Sequence, residues 1–174
     1  MKRRFAILAM AAFLPVAAAA QQAADKGAKI TEALRAAPSG IAAHATAKEW
    51  DGTVLRKGDD AWTCYPSPHN MPNSPMYMDA VWAKWGEAWM NKKPFKADRI
   101  GLAYMLMGDS GSSNTDPYAT KPTADNKWVV EGPHLMIIAP DSRMLEGISD
   151  DPHSGGPYVM WKGTPYEHIM LPVR

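Results

Sequence analysis

Three of the five histidines in this chain are followed two residues later by a methionine: His69 by Met71, His134 by Met136 and His168 by Met170. In an extended strand, residues i and i+2 point to the same face, so each pair sets an imidazole nitrogen beside a thioether sulfur. Such a mixed donor set suits copper, because thioethers select Cu(I) while imidazole serves both oxidation states. The expected metal site is therefore His134, Met136, His168 and Met170, completed by His69 and Met71 from a loop. Methionine is also ordinary core filler, and ten of the twelve methionines lie beyond residue 20. The competing expectation is of structural histidines beside core methionines, among neighbours such as Ile137, Ile138 and Leu171. The metal reading requires the strands carrying His134 and His168 to lie close together.

Other groups extend or rival that site. Met105 and Met107 repeat the i, i+2 spacing, whereas Met76 and Met78 fall in a predicted helix, where such residues face different ways. Tyr65, Tyr166 and Cys64 are candidate redox partners, with Cys64 expected to be a buried, inert thiol. Glu131 and Glu167 stand near histidines as possible bases or outer partners fixing a tautomer. Proline precedes His69, His134 and His153, which stiffens each approach.

A hydrolase is the alternative chemistry. Gly108-Asp109-Ser110 follows an apolar strand, and Asp150 stands three residues before His153. These two stretches resemble the nucleophile and Asp-x-x-His blocks of the SGNH (GDSL-type) hydrolases. The resemblance implies a serine nucleophile at Ser110, with His153 as its base and Asp150 orienting the histidine. It covers those two blocks alone. Only 64 residues follow Ser110, too few for that family's parallel scaffold, and clear Gly and Asn blocks for an oxyanion hole are missing.

Composition bounds the rest. Residues 1–20 combine a basic start, an apolar core and small residues before Gln21, the pattern of a cleaved signal peptide, so a periplasmic or secreted protein is expected. Arg3-Arg4 leaves the twin-arginine route open beside the general one. Without Lys2, Arg3 and Arg4, sixteen basic residues face eighteen acidic ones, a balance that attracts neither nucleic acid nor an anionic membrane. One cysteine excludes an intramolecular disulfide, so stability must come from packing or a bound ligand.

These residues are to be positioned by a single α+β domain with a mostly antiparallel sheet. Residues 21–40 form an N-terminal helix, from about Ala23 to Ala37, and a linker; residues 41–174 form the domain. Residues 46–65 read as a three-stranded meander turning at Asp51-Gly52 and at residues 58–60. A tryptophan-rich amphipathic helix is predicted from Ser74 as N-cap and Pro75 to Lys92-Lys93-Pro94, with Met78, Trp82, Trp85 and Trp89 on one face. Strands follow at 100–108 and 127–140, the second bent at Gly132-Pro133, around an eighteen-residue polar loop at 109–126. A helical turn near 142–148 and two terminal strands complete the chain. The expected function is that of an exported small-ligand binder, most concretely of copper, with the ester hydrolase or a non-catalytic interaction module as alternatives.

Overall fold

The structure, a computed structural model, describes residues 14–173. Most of the expected leader, residues 1–13, lies outside the described residues. The rest is an α+β domain built on one eight-stranded sheet. Helix α1 (Leu14–Leu34) is continuous across the expected cleavage point and ends earlier than Ala37. A second short helix, α2 (Ser39–Ala42), follows it. Among the described residues no helix is long and apolar enough to cross a membrane.

Strands β1 (Thr46–Lys48), β2 (Val54–Arg56) and β3 (Thr63–Tyr65) do not form the expected meander. The Asp51-Gly52 turn does join β1 to β2, with Gly52 at φ 91° and Asp51 accepting from the Thr53 amide. Residues 57–62 then carry the chain back across β1, held by the bond from the Asp59 amide to the His44 carbonyl. As a result β3 lies parallel to β1, with Ala47 opposite Cys64.

Strand β4 (Met76–Met78) and helix α3 (Ala80–Met90) replace the longer predicted helix. Ser74-Pro75 has the right residues for a helix start, but Ser74 sits in a loop, accepting from the Ser110 amide and donating to the Pro72 carbonyl. The cap is Asp79. Its Oδ1 accepts from the amides of Val81 and Trp82, and its Oδ2 from that of Leu102 on the neighbouring strand. One carboxylate thus starts the helix and fixes it to the sheet. Asp79→Ala is expected to cost about 2–3 kcal/mol, because three amides lose a charged acceptor, with Asp79→Asn clearly milder. Urea unfolding of the two variants checks this; equal losses would deny the bridging role.

Beyond α3 come β5 (Gly101–Met105), β6 (Ser112–Ser113), β7 (Trp128–Val129), β8 (His134–Ile138), a 3-10 turn (Ser142–Leu145), β9 (Tyr158–Met160) and β10 (His168–Pro172). The strand predicted over 127–140 is broken, not bent, at Gly132-Pro133: β7 pairs with β6 in a separate ribbon, while β8 enters the main sheet. The main sheet runs β2-β1-β3-β4-β5-β8-β10-β9, antiparallel at every step except β1 to β3. One face packs Cys64, Tyr77 and Ala47 against the alanines of α1 and α2. The other packs methionines and tryptophans under α3 and the C-terminal loops. Gly101 lets α3 approach that face, since a Cβ there would lie 2.8 Å from Val81 Cγ1.

Candidate functional site

The two long His-x-Met strands are neighbours. β8 and β10 pair antiparallel with Met136 opposite Met170 and His134 opposite Pro172. All four side chains point to the methionine-lined face, as the alternating burial of both strands requires. His168 then lies four residues from Pro172, about 14 Å along the strand from the level of His134. The sheet register therefore sets the Met136–Met170 pair between the backbone levels of the two histidines.

Around His134 the register gathers sulfur. Met105 on β5 is directly opposite it, Met136 is two residues along the same strand, and Met170 is diagonal on β10. Directly opposed side chains have Cβ atoms about 5 Å apart and diagonal ones about 7–8 Å, within reach of a flexible thioether. Met76 and Met78 lie on β4, beyond β5, and share this face because they belong to a strand and not to a helix. The sequence spacing groups Met105 with Met107 and leaves both outside the expected ligand set; in the structure Met105 faces the core at the end of β5, while Met107 lies past the strand end and is exposed. What separates them is the end of the strand at Met105, where a turn closed by the bond from the Gly108 amide to the Met105 carbonyl, with Gly108 at φ 73°, takes Met107 off the sheet.

The imidazoles share a local geometry. His134 Nδ1 is 2.7 Å from the Gly132 carbonyl and His168 Nδ1 is 2.9 Å from the Tyr166 carbonyl, each two residues upstream. A carbonyl only accepts, so Nδ1 carries the donated proton and Nε2 the lone pair. Nε2 of His134 is buried and has no hydrogen-bond partner. Metal-binding histidines commonly show this arrangement, with a backbone carbonyl fixing the ring and the other nitrogen left free.

His168 sits in an indole cage. Trp82, Trp85 and Trp161 surround it edge-on at ring-centroid distances of 5.2, 5.5 and 5.2 Å. Burial pushes its pKa down to about 4; the neighbouring His134 acts in the same direction and the bond to the Tyr166 carbonyl opposes them. Trp161 is held at φ 55°, strained for a tryptophan, with its Nε1 donating to the Ser113 carbonyl at 2.6 Å. Its ring lies nearly parallel to those of Trp85 and Trp89, and Tyr118 extends the stack to the surface. The tryptophan face of α3 is thus largely interior.

The polar groups nearby are engaged. Glu131 accepts from the Tyr158 hydroxyl at 2.8 Å, and burial, then Glu131, hold that phenol far above its ordinary range. Glu167 accepts from the Gly163 amide. Tyr166 donates to the Lys93 carbonyl, and Tyr65 stacks on Trp50. Cys64 is fully buried on the opposite face, its thiol pushed up to about 11 by burial, which makes it a poor source of thiolate.

The remaining candidates are placed apart. His69 is exposed and Met71 half-buried, in the turn before β4 and outside the methionine core. Ser110, Asp150 and His153 are all exposed, and among the described residues no hydrogen bond joins their side chains. Among the described residues, too, no three His, Cys, Asp or Glu side chains group as a metal site, so a site here depends on thioether donors. The polar loop at 109–126 is pinned by buried Ser113, Asn114 and Asn126: Ser113 Oγ donates to the Asn126 carbonyl, and Asn114 Nδ2 to that of Asp150. Comparison of the chain with protein-family models, curated proteins and solved structures finds no match.

Proposed function

We propose that this is an exported copper-binding protein that holds one Cu(I) through His134 Nε2 and the thioethers of Met105, Met136 and Met170. The observation that carries the reading is the buried, unpartnered Nε2 of His134, oriented by the Gly132 carbonyl and ringed by methionines from three adjacent strands. An imidazole with thioethers is a soft, low-charge donor set, and a buried apolar setting disfavours the more highly charged Cu(II). The chain's contribution is to hold the imidazole tautomer, keep the sulfurs on one face and exclude water. In this reading His168 is a neighbouring imidazole in its indole cage and not a ligand of the same ion. The leader-like pattern of residues 1–20 supports a periplasmic or secreted location.

The test is metal analysis of the protein purified after export, followed by Cu(I) titration against a chelator of known affinity. One equivalent of Cu(I) is expected, with sulfur scatterers at thioether distance in X-ray absorption. His134→Gln is expected to weaken binding about a hundredfold, while His168→Gln leaves the stoichiometry at one. Metal no higher than background would return the methionines to the core and end the proposal.

A further inference from the structure

The face of the sheet away from His134 carries an open pocket of about 500 Å³ beside α2, walled by Trp62, Tyr77 and Tyr104 and rimmed by His44, Asp59 and Asp60. That volume is in the range of small-molecule sites. Trp62 lies flat on Tyr77, with centroids 4.8 Å apart and planes 23° from parallel. Tyr104 meets both at steep angles, 6.0 Å from Trp62 at 61° and 5.8 Å from Tyr77 at 80°. The result is a corner of aromatic rings. It is stiff, because Tyr77 is fully buried and its hydroxyl donates to the Ile41 carbonyl.

The charges at this corner have one sign apart from the imidazole. No lysine or arginine lines it, and Arg56 directs its guanidinium to the Ala42 and Ala45 carbonyls. Both carboxylates already hold a donor: Asp59 Oδ1 is 2.9 Å from His44 Nδ1, and Asp60 Oδ1 accepts from the Trp62 amide. They supply negative field more than free acceptor positions. A primary ammonium needs several acceptors to replace its water, whereas an alkylated ammonium has few or no N–H groups and is recognised by ring faces and field.

We infer that this pocket binds an alkylated ammonium group, its charge held between the faces of Trp62 and Tyr104 and the carboxylates of Asp59 and Asp60. The site is separate from the copper reading and stands or falls without it.

The experiment titrates the metal-free full chain with choline and with its neutral isostere 3,3-dimethylbutan-1-ol, by calorimetry and tryptophan fluorescence. Choline is expected to bind about tenfold or more tightly than the alcohol. Asp59→Asn with Asp60→Asn keeps the side-chain oxygens that serve the turn and removes the charge, and is expected to weaken choline about tenfold. Trp62→Leu, checked for folding by circular dichroism, should abolish the signal. Phosphatidylcholine vesicles form a second arm: co-sedimentation assigns the ammonium to a lipid headgroup, and binding of free choline alone assigns it to a solute. Equal binding of the alcohol, or no binding of choline in either form, overturns the inference.

Discussion

Trp82→Ala is expected to destabilise the fold by about 4 kcal/mol, the range for deleting a buried indole. Trp82 is 1% exposed and is the largest of the fully buried side chains. Its ring meets Trp85 at 4.7 Å and His168 at 5.2 Å, so truncation opens a cavity between helix and sheet and removes one wall of the His168 cage. The indole Nε1 is buried without a partner, however, so its N–H contributes no hydrogen bond. Trp82→Phe should therefore cost far less, about 1–2 kcal/mol, since it loses ring area but also removes an unsatisfied donor. Urea unfolding of both variants decides the matter. A phenylalanine variant as unstable as the alanine one would mean that the N–H is bonded in solution.

Lowering the pH from 7 to 4.5 is expected to remove most of a further 3 kcal/mol or so through His168 alone. The unfolded chain takes a proton at this residue near pH 6.5, whereas burial delays protonation in the folded protein to about pH 4. Between those values the unfolded state binds more protons. The stability is full above pH 6.5 and falls by about 1.4 kcal/mol per unit as the pH drops toward 4. The difference between the parent and a variant lacking this imidazole, taken from pH 6.5 to 5, isolates its contribution. The check is the pH dependence of the urea midpoint in the parent and in His168→Gln. Parallel curves from pH 6.5 to 5 would show that His168 is not held neutral by the fold.

How much of this was legible in the sequence follows from how local each signal is. The inward face of α3 was readable because Trp82, Trp85 and Trp89 repeat at helical spacing, and β8 and β10 were readable from their apolar runs. The start of α3 was not, because Ser74-Pro75 imitates a cap and Met78 happens to lie four residues before Trp82. Only the carboxylate of Asp79, with one oxygen on the helix and the other on Leu102, settles the boundary. The parallel placement of β3 beside β1 has no local signature, since it depends on how residues 57–62 cross the sheet. The candidate site was half legible. The two His-x-Met strands do sit side by side, but register, which alternation cannot reveal, offsets the two histidines along the strands and brings Met105 opposite His134. The aromatic pocket was invisible for a similar reason: Trp62 from the crossing before β3, Tyr77 from β4 and Tyr104 from β5 meet only in the folded sheet.

Strand β10 is the last strand in chain order, yet it lies inside the sheet, between β8 and β9. During synthesis, β8 and β9 therefore wait with unpaired edges until residues 168–172 have emerged from the ribosome. The sheet closes by a late insertion and not by addition at its rim, which makes folding non-local and slow to begin. Residues 168–172 are therefore the clasp of the sheet's C-terminal half: without them β8 loses one neighbour and β9 its only strand partner among the described residues.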